Sequence, residues 1–121
     1  MSSVKKIQEQ LTKNLIVPII LDLLDHKPMC GYEMMSYIKK TYGVKFGAST
    51  MYPALKHLES RDFVTSEWNI DKRRPKKVYK LTREGQNALN YSVGALSQIC
   101  RTLDNVNTKS DKNMQIGVLV G

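Results

Sequence analysis

The sequence predicts a mostly α-helical fold of the α+β class, in which three helices precede a β-hairpin and one long helix follows it. Apolar residues recur at helical spacing in three segments, residues 4–25, 31–42 and 49–61. Two segments rich in strand-forming residues, 63–68 and 78–81, then flank a basic, turn-like segment at 69–77. A heptad repeat follows residue 82. The length of 121 residues is typical of a single domain.

The first helical segment contains a proline. The apolar stripe of residues 4–25 consists of Ile7, Leu11, Leu15, Ile19 and Leu23. Pro18 interrupts it, because proline has no N–H to donate within a helix. Two alternatives remain open at this stage: the main helix begins just before Pro18, with Asn14 as its cap, or one helix kinks there.

The second and third helices have clear apolar faces. In the second helix we expect a buried side made of Met34, Met35, Tyr37 and Ile38, and a C-terminal stop at Gly43. Residues 44–46 are compatible with a short strand. In the third helix we expect Ser49 or Thr50 as the N-cap, Pro53 in the first turn, and an inward face of Met51, Leu55 and Leu58.

The last helix is predicted from Thr82, its N-cap, to about Val106. Its seam has spacings of 4, 3, 4 and 3 and consists of Leu89, Val93, Leu96, Cys100 and Leu103. A helix of this length spans about 35 Å, more than a core of this size needs, so we expect the seam to pack against a second copy; the alternative is that it packs only on its own domain. Phe63 and Trp68 are expected to anchor the hairpin in the core, the alternative being that they form a stacking platform.

Three helices followed by a β-hairpin wing are the layout of a winged helix-turn-helix domain, here with a long C-terminal dimerisation helix. We therefore divide the chain into a domain at residues 1–81, a dimerisation helix at 82–106 and a tail at 107–121.

The positive charge is concentrated in one third of the chain. Residues 39–83 contain twelve lysines and arginines against four acidic residues, whereas the remaining residues contain seven of each. The whole net charge of +8 therefore lies in this stretch. Such clustering is typical of a surface that binds a polyanion, and nucleic acid is the partner that it favours.

Other classes of function find little support. The acidic residues are scattered, and we see no phosphate-binding loop or nucleophile motif, so we expect no enzyme activity and no cofactor. His26 and Cys30 are too few for a zinc site. The longest apolar run, residues 15–21, is shorter than the ~20 residues of a membrane span. With two cysteines and no apolar stretch directly after Lys5 and Lys6, we expect a cytoplasmic protein without a disulfide framework.

Three blocks of sequence resemble the PadR family of transcriptional regulators. They are Gly-Tyr-Glu at 31–33, Ser-Thr-Met-Tyr-Pro-Ala-Leu-Lys-His-Leu-Glu at 49–59 and Tyr-Lys-Leu-Thr-Arg-Glu-Gly at 79–85. The resemblance covers about residues 11–104 and is closest to the compact branch with a short final helix. It implies a homodimeric repressor whose last helix packs on the partner, often on its first helix. It also leaves open a small-molecule effector, although residues 82–106 lack the Trp with which some small members bind aromatic drugs.

The resemblance also implies which residues contact double-stranded DNA. A recognition helix at about 49–61 enters the major groove, and the wing contacts phosphates or the minor groove. The candidates in the helix are Ser49, Thr50, Tyr52, Lys56 and His57, and those in the wing are Lys72, Arg73, Arg74, Lys76 and Lys77. Phosphate contacts give affinity without reading sequence. An architectural, largely non-specific DNA-binding protein is therefore the main alternative, followed by a protein-interaction module and by RNA binding.

Overall fold

The computed structural model describes residues 3–70 and 73–110. Its elements in chain order are α1 (Ser3–Asn14), α2 (Ile16–His26), β1 (Met29–Cys30), α3 (Gly31–Tyr42), α4 (Ala48–Ser60), β2 (Val64–Asn69), β3 (Lys76–Leu81) and α5 (Arg83–Ser110). The order confirms a mostly helical fold with a hairpin before a long final helix. Contacts divide the chain into two compact units, residues 1–89 and 90–121.

The first helical segment forms two helices, separated at Leu15. The N–H of Leu15 donates to the carbonyls of Leu11 and Thr12, both at 3.1 Å. Pro18 lies in the first turn of α2, where a backbone N–H has no acceptor within the helix and proline is tolerated. The predicted cap at Asn14 is wrong: its side-chain oxygen accepts a hydrogen bond from Gln10 at 3.0 Å, and α2 begins after Leu15 without a side-chain cap.

Helix α3 has the predicted bounds. It ends at Gly43, whose φ of 71° lies in the left-handed region that favours glycine. Met34 and Ile38 are fully buried and Met35 packs on the core from its edge. Tyr37 is about half exposed, so its assignment to the buried side is wrong; it lies at the flank of the Met34–Ile38 stripe. Residues 44–46 are not a strand, although Val44 and Phe46 are buried.

Helix α4 begins earlier than predicted. Gly47 is its N-cap, and the Gly47 carbonyl accepts the N–H groups of Thr50 and Met51 at 3.1 and 2.9 Å. Ser49 and Thr50 therefore lie in the first turn, not at the cap. Pro53 falls in the second turn, not the first, and its missing N–H leaves the Ser49 carbonyl without the usual helical donor. The inward face of Met51, Leu55 and Leu58 is buried as expected.

The strands form an antiparallel sheet in the order β1-β3-β2. The two-residue strand β1 was not predicted; it pairs Met29 with Tyr79 and Cys30 with Val78. The hairpin strands are longer at the tip than predicted, so Lys76 and Lys77 belong to β3.

Trp68 is not the core anchor that the sequence suggested. Along the inner face of the hairpin, burial falls from fully buried Val64 through half-buried Ser66 to Trp68, which is 63% exposed. Phe63, at the base of the wing, is partly buried and packs on the core. The outer end of the wing therefore extends past the elements that cover its base.

The core of the first unit draws on every helix from α2 to α5. Its fully buried side chains are Ile20, Leu21, Met34, Ile38, Met51, Leu55, Leu58 and Val64. From α5, Leu89 joins this core at 5% exposure and Ala88 packs against it. The first turns of α5 are therefore part of the same core as α4.

The start of α5 is fastened to the turn that ends α4. Thr82 is the N-cap, as predicted: its hydroxyl oxygen accepts a hydrogen bond from the Gly85 N–H at 2.9 Å, and its O–H donates to the Asp62 carbonyl. The Thr82 N–H donates to the Phe63 carbonyl at 3.1 Å. Asp62 has a φ of 63°, an uncommon conformation that lets the chain reverse here. Helix α5 continues to Ser110, beyond the predicted end at Val106, and residues 111–121 of the predicted tail lie outside the described residues.

Candidate nucleic-acid interface

A groove separates α4 from the wing. Tyr52, Lys56 and Glu59 are spaced by four and three residues, so they share one face of α4. That face forms one wall of the groove, and Trp68 with Lys76 and Lys77 forms the other. The groove has a volume of about 680 Å³ and is open to solvent. It brings together residues from the predicted recognition helix and from the predicted wing.

The floor of the groove depends on a glycine. A Cβ atom on Gly31, the first residue of α3, would lie 2.7 Å from the ring of Tyr52. Only glycine therefore lets the Tyr52 ring rest against the start of α3.

Two carboxylates hold the lysines of the wing. The Lys77 ammonium lies 3.9 Å from Glu59 of α4, and the Lys76 ammonium lies 3.9 Å from Glu33 of α3. Glu59 also accepts a hydrogen bond from Ser66 at 2.7 Å, so it is fixed to both strands of the hairpin. Neither acid was predicted from the sequence to be part of the site. Glu59 lies on the surface of a helix, and nothing in the neighbouring sequence indicates that it pairs with a lysine of the wing.

Glu33 is ionised more readily than an ordinary glutamate. Its carboxylate accepts the Cys30 N–H at 2.9 Å. This backbone hydrogen bond, aided by the nearby Lys76, lowers the pKa of Glu33 below its usual value. Burial raises the pKa of the neighbouring Tyr79 hydroxyl, with a further contribution from Glu59. The Glu33 carboxylate that faces Lys76 is therefore ionised at neutral pH.

The predicted DNA-contacting residues of α4 are all exposed. Ser49, Tyr52 and Lys56 share one face, whereas Thr50 and His57 lie on the neighbouring face. In the wing, Arg73 and Arg74 are exposed at the tip, and Lys76 and Lys77 are half-buried on β3. Lys72 lies outside the described residues. The fold thus places exposed polar groups of α4 next to the basic strand, and their contact with DNA stays a prediction.

The predicted dimerisation seam divides between the two units. Leu89 is part of the core of the first unit, as described above, and is not available to a partner chain. In the second unit, Val93 and Leu103 are 53% and 60% exposed, Cys100 is exposed and Leu96 is partly exposed. Helix α1 likewise presents Val4, Ile7 and Leu11, each more than half exposed, at helical spacing.

A membrane span and a metal site are two further features to consider within residues 3–70 and 73–110. No helix there has both the length and the hydropathy needed to cross a membrane. In the same ranges, His, Cys, Asp and Glu side chains do not gather in groups of three or more that could hold a metal ion.

The family model and the similar solved structures indicate the same protein family. The model of the transcriptional regulator PadR-like family matches residues 20–91, a range that includes the whole groove. A PadR family transcriptional regulator from Eggerthella lenta is 26% identical with a TM-score of 0.77, and the match covers 85% of this chain and 90% of that one. A PadR family regulator from Clostridium difficile is 27% identical with a TM-score of 0.68, covering 76% and 97%.

One similar structure contains nucleic acid. Bacillus subtilis PadR in complex with operator DNA is 32% identical with a TM-score of 0.61; the match covers 65% of this chain and 45% of that one. No curated protein sequence matches the chain.

Proposed function

The chain belongs to the PadR-like family of transcriptional regulators, and from this membership we propose that it is a homodimeric, sequence-specific repressor. Helix α4 enters the major groove of double-stranded DNA, and the basic wing contacts the phosphate backbone or the adjacent minor groove. The operator complex of the Bacillus subtilis relative supports DNA as the partner.

The observation that supports this proposal best is the groove between α4 and the wing. Its two walls are the two elements that a winged helix presents to DNA, and both present exposed cationic or hydrogen-bonding groups. Lys56 lies on one wall and Lys76 and Lys77 on the other, with Arg73 and Arg74 exposed beyond them. Because residues 39–83 contain all of the net positive charge, a polyanion complements this surface.

A binding titration tests the function directly. The protein is titrated against duplex DNA from upstream of its own gene and against a scrambled duplex of equal length, at two salt concentrations. A repressor is expected to prefer its site by about 10³-fold or more. Equal, steeply salt-dependent binding to both duplexes would favour the second candidate, a non-specific architectural protein, which the exposed arginines of the wing tip would also suit. No binding to either duplex would contradict both.

The contribution of the wing can be measured from the salt dependence. Each phosphate contact adds about 0.9 to the slope of log affinity against log salt concentration. The double variant Arg73→Ala/Arg74→Ala should therefore weaken binding to every duplex and reduce the slope by about 2. Lys13→Ala/Arg101→Ala removes the same charge from residues that do not line the groove, and it should leave the slope nearly unchanged. Equal effects of the two double variants on the salt slope would show that the wing tip does not contact DNA.

Dimerisation is proposed to use the exposed apolar side chains of α5. Val93, Leu96, Cys100 and Leu103 form a seam that a second copy would cover, and we expect the partner's first helix to pack beside it. Leu96→Asp puts a charge into this seam and should yield monomers of 13.8 kDa in sedimentation experiments, with helical circular dichroism retained. Ser97→Asp adds the same charge at the next, exposed position and should remain dimeric. A dimeric Leu96→Asp variant would show that the seam is wrongly assigned.

A further inference from the structure

Trp68 is the only tryptophan of the chain and lies on the wall of the groove. We propose that its ring packs against the deoxyribose groups of the DNA strand that passes between α4 and the wing. This inference rests on the proposed function. The groove would then hold the strand by an uncharged aromatic contact in addition to its lysines.

The position of Trp68 does not serve the core. It is 63% exposed, and it lies at the outer end of an inner face whose deeper residues, Val64 and Tyr79, are buried. A large aromatic ring in this position leaves apolar area in contact with water. Single exposed apolar side chains are common on protein surfaces, so exposure alone does not identify a binding role; the surroundings of the ring do.

The surroundings of Trp68 are cationic and aromatic. Its cross-strand partner is Lys77, and Lys56 and Lys76 line the same groove. Tyr52 lies on the opposite wall and is itself partly exposed. A partner of this surface must therefore offer negative charge together with flat or apolar faces. A sugar–phosphate strand has both, because anionic phosphates alternate with deoxyribose rings along it.

The arrangement of the two walls determines which part of the DNA reaches the ring. When a helix occupies the major groove and a wing reaches the adjacent minor groove, one backbone strand must pass between them. Trp68 lies on the inner face of the wing, facing that path, whereas Arg73 and Arg74 lie at the tip. The ring therefore meets the backbone beside the minor groove, and the base edges lie farther toward α4.

The single tryptophan allows a direct test. Tryptophan emission of the full chain is followed while unlabelled upstream duplex is added, and fluorescence anisotropy of a labelled copy of the same duplex reports binding independently. We expect the emission to change in parallel with the anisotropy, and quenching of Trp68 by acrylamide to decrease in the complex.

Substitutions separate a direct contact from an effect on the wing. Trp68→Ala should weaken binding about tenfold, the order of magnitude expected when a ring loses some tens of Å² of apolar contact, and Trp68→Phe should restore most of the affinity. The salt slope should stay that of the wild type, because the ring has no charge. Tyr37→Ala, which removes a comparably exposed aromatic ring outside the groove, should bind as the wild type does.

The outcomes distinguish failure of the Trp68 contact from failure of the proposed DNA-binding function. DNA binding with unchanged tryptophan emission and unchanged affinity of Trp68→Ala would overturn the contact but leave the DNA-binding function intact. A reduced salt slope in Trp68→Ala would also overturn it, because the residue would then act by positioning the lysines. Absence of any anisotropy change would contradict the proposed function itself.

Discussion

Gly85→Ala is expected to destabilise the protein, although alanine normally favours helices. A Cβ atom at Gly85 would lie 2.0 Å from the Phe63 carbonyl oxygen and 2.6 Å from a methyl group of Leu81. The carbonyl belongs to the backbone of the turn that ends α4, so it cannot rotate away as a side chain could. Either α5 or the turn must move.

The size of the effect follows from what such a movement breaks. Thr82 would lose its hydrogen bonds to the carbonyls of Asp62 and Phe63, at about 1 kcal/mol each. Residual strain from overpacking costs about 1–3 kcal/mol, and the better helix propensity of alanine returns only about 1 kcal/mol. We therefore expect a net loss of about 2–4 kcal/mol in the free energy of unfolding, or roughly 10–20 °C in Tm.

Gly94→Ala is the matched control within the same helix. A Cβ atom there meets no atom within 4 Å, so this variant should gain about 0.5–1 kcal/mol of stability. Both variants and the wild type are unfolded with heat and with urea at equal protein concentration, because the Tm of the proposed dimer would depend on concentration. Wild-type stability of Gly85→Ala would refute the close packing of α5 on the turn at residues 61–63.

Two predictions concern the carboxylates of the groove. The Cys30 N–H holds the pKa of Glu33 below 4.5, so the charged form stabilises the fold above that pH and the contribution disappears as the pH falls through the lowered pKa. Glu33→Gln should therefore have a lower urea midpoint than the wild type at neutral pH, and the difference should shrink as the pH falls through the lowered pKa; an equal difference at neutral and at acid pH would contradict the assignment. Glu59→Gln should release Lys77 to phosphate, strengthen binding to random duplex severalfold and steepen the salt slope by up to about 1. Unchanged or weaker binding in the same anisotropy titration would show that the Glu59–Lys77 pair does not compete with DNA.

The parts of the fold that the sequence predicted well are those set by local chemistry. Gly43 ends a helix because its φ is positive, and Thr82 begins one because its hydroxyl accepts a helical N–H. The apolar stripes of α3 and α4 likewise identified their most deeply buried residues. Each of these features depends on a few neighbouring residues.

The errors arose where distant residues decide the structure. Strand β1 exists because Met29 and Cys30 pair with β3, almost fifty residues away, and two residues leave no periodicity to detect. The N-cap of α4 is the backbone of Gly47, although Ser49 and Thr50 have the stronger side-chain preference for that position.

The composition of the site was easier to predict than its geometry. The charge distribution indicated the wing, and the family resemblance indicated the exposed face of α4. Neither showed that Glu33 and Glu59 would pair with Lys76 and Lys77, because the partners lie on different elements. Trp68 was wrongly expected in the core. The alternation of side chains along β2 predicts which face of the strand Trp68 occupies, but it does not predict how far the wing extends beyond the elements that bury its base.

The burial of Leu89 has a consequence for the modularity of this protein. The DNA-facing part does not end with the last strand of the wing, because Gly85 packs on the turn after α4 and Leu89 completes the core beneath it. Replacing the C-terminal helix from residue 82 onward would remove Gly85 and Leu89 from the core that they complete. An exchange after residue 89 would leave that core intact, so the first two turns of α5 belong with the wing and the core rather than with the remainder of the helix.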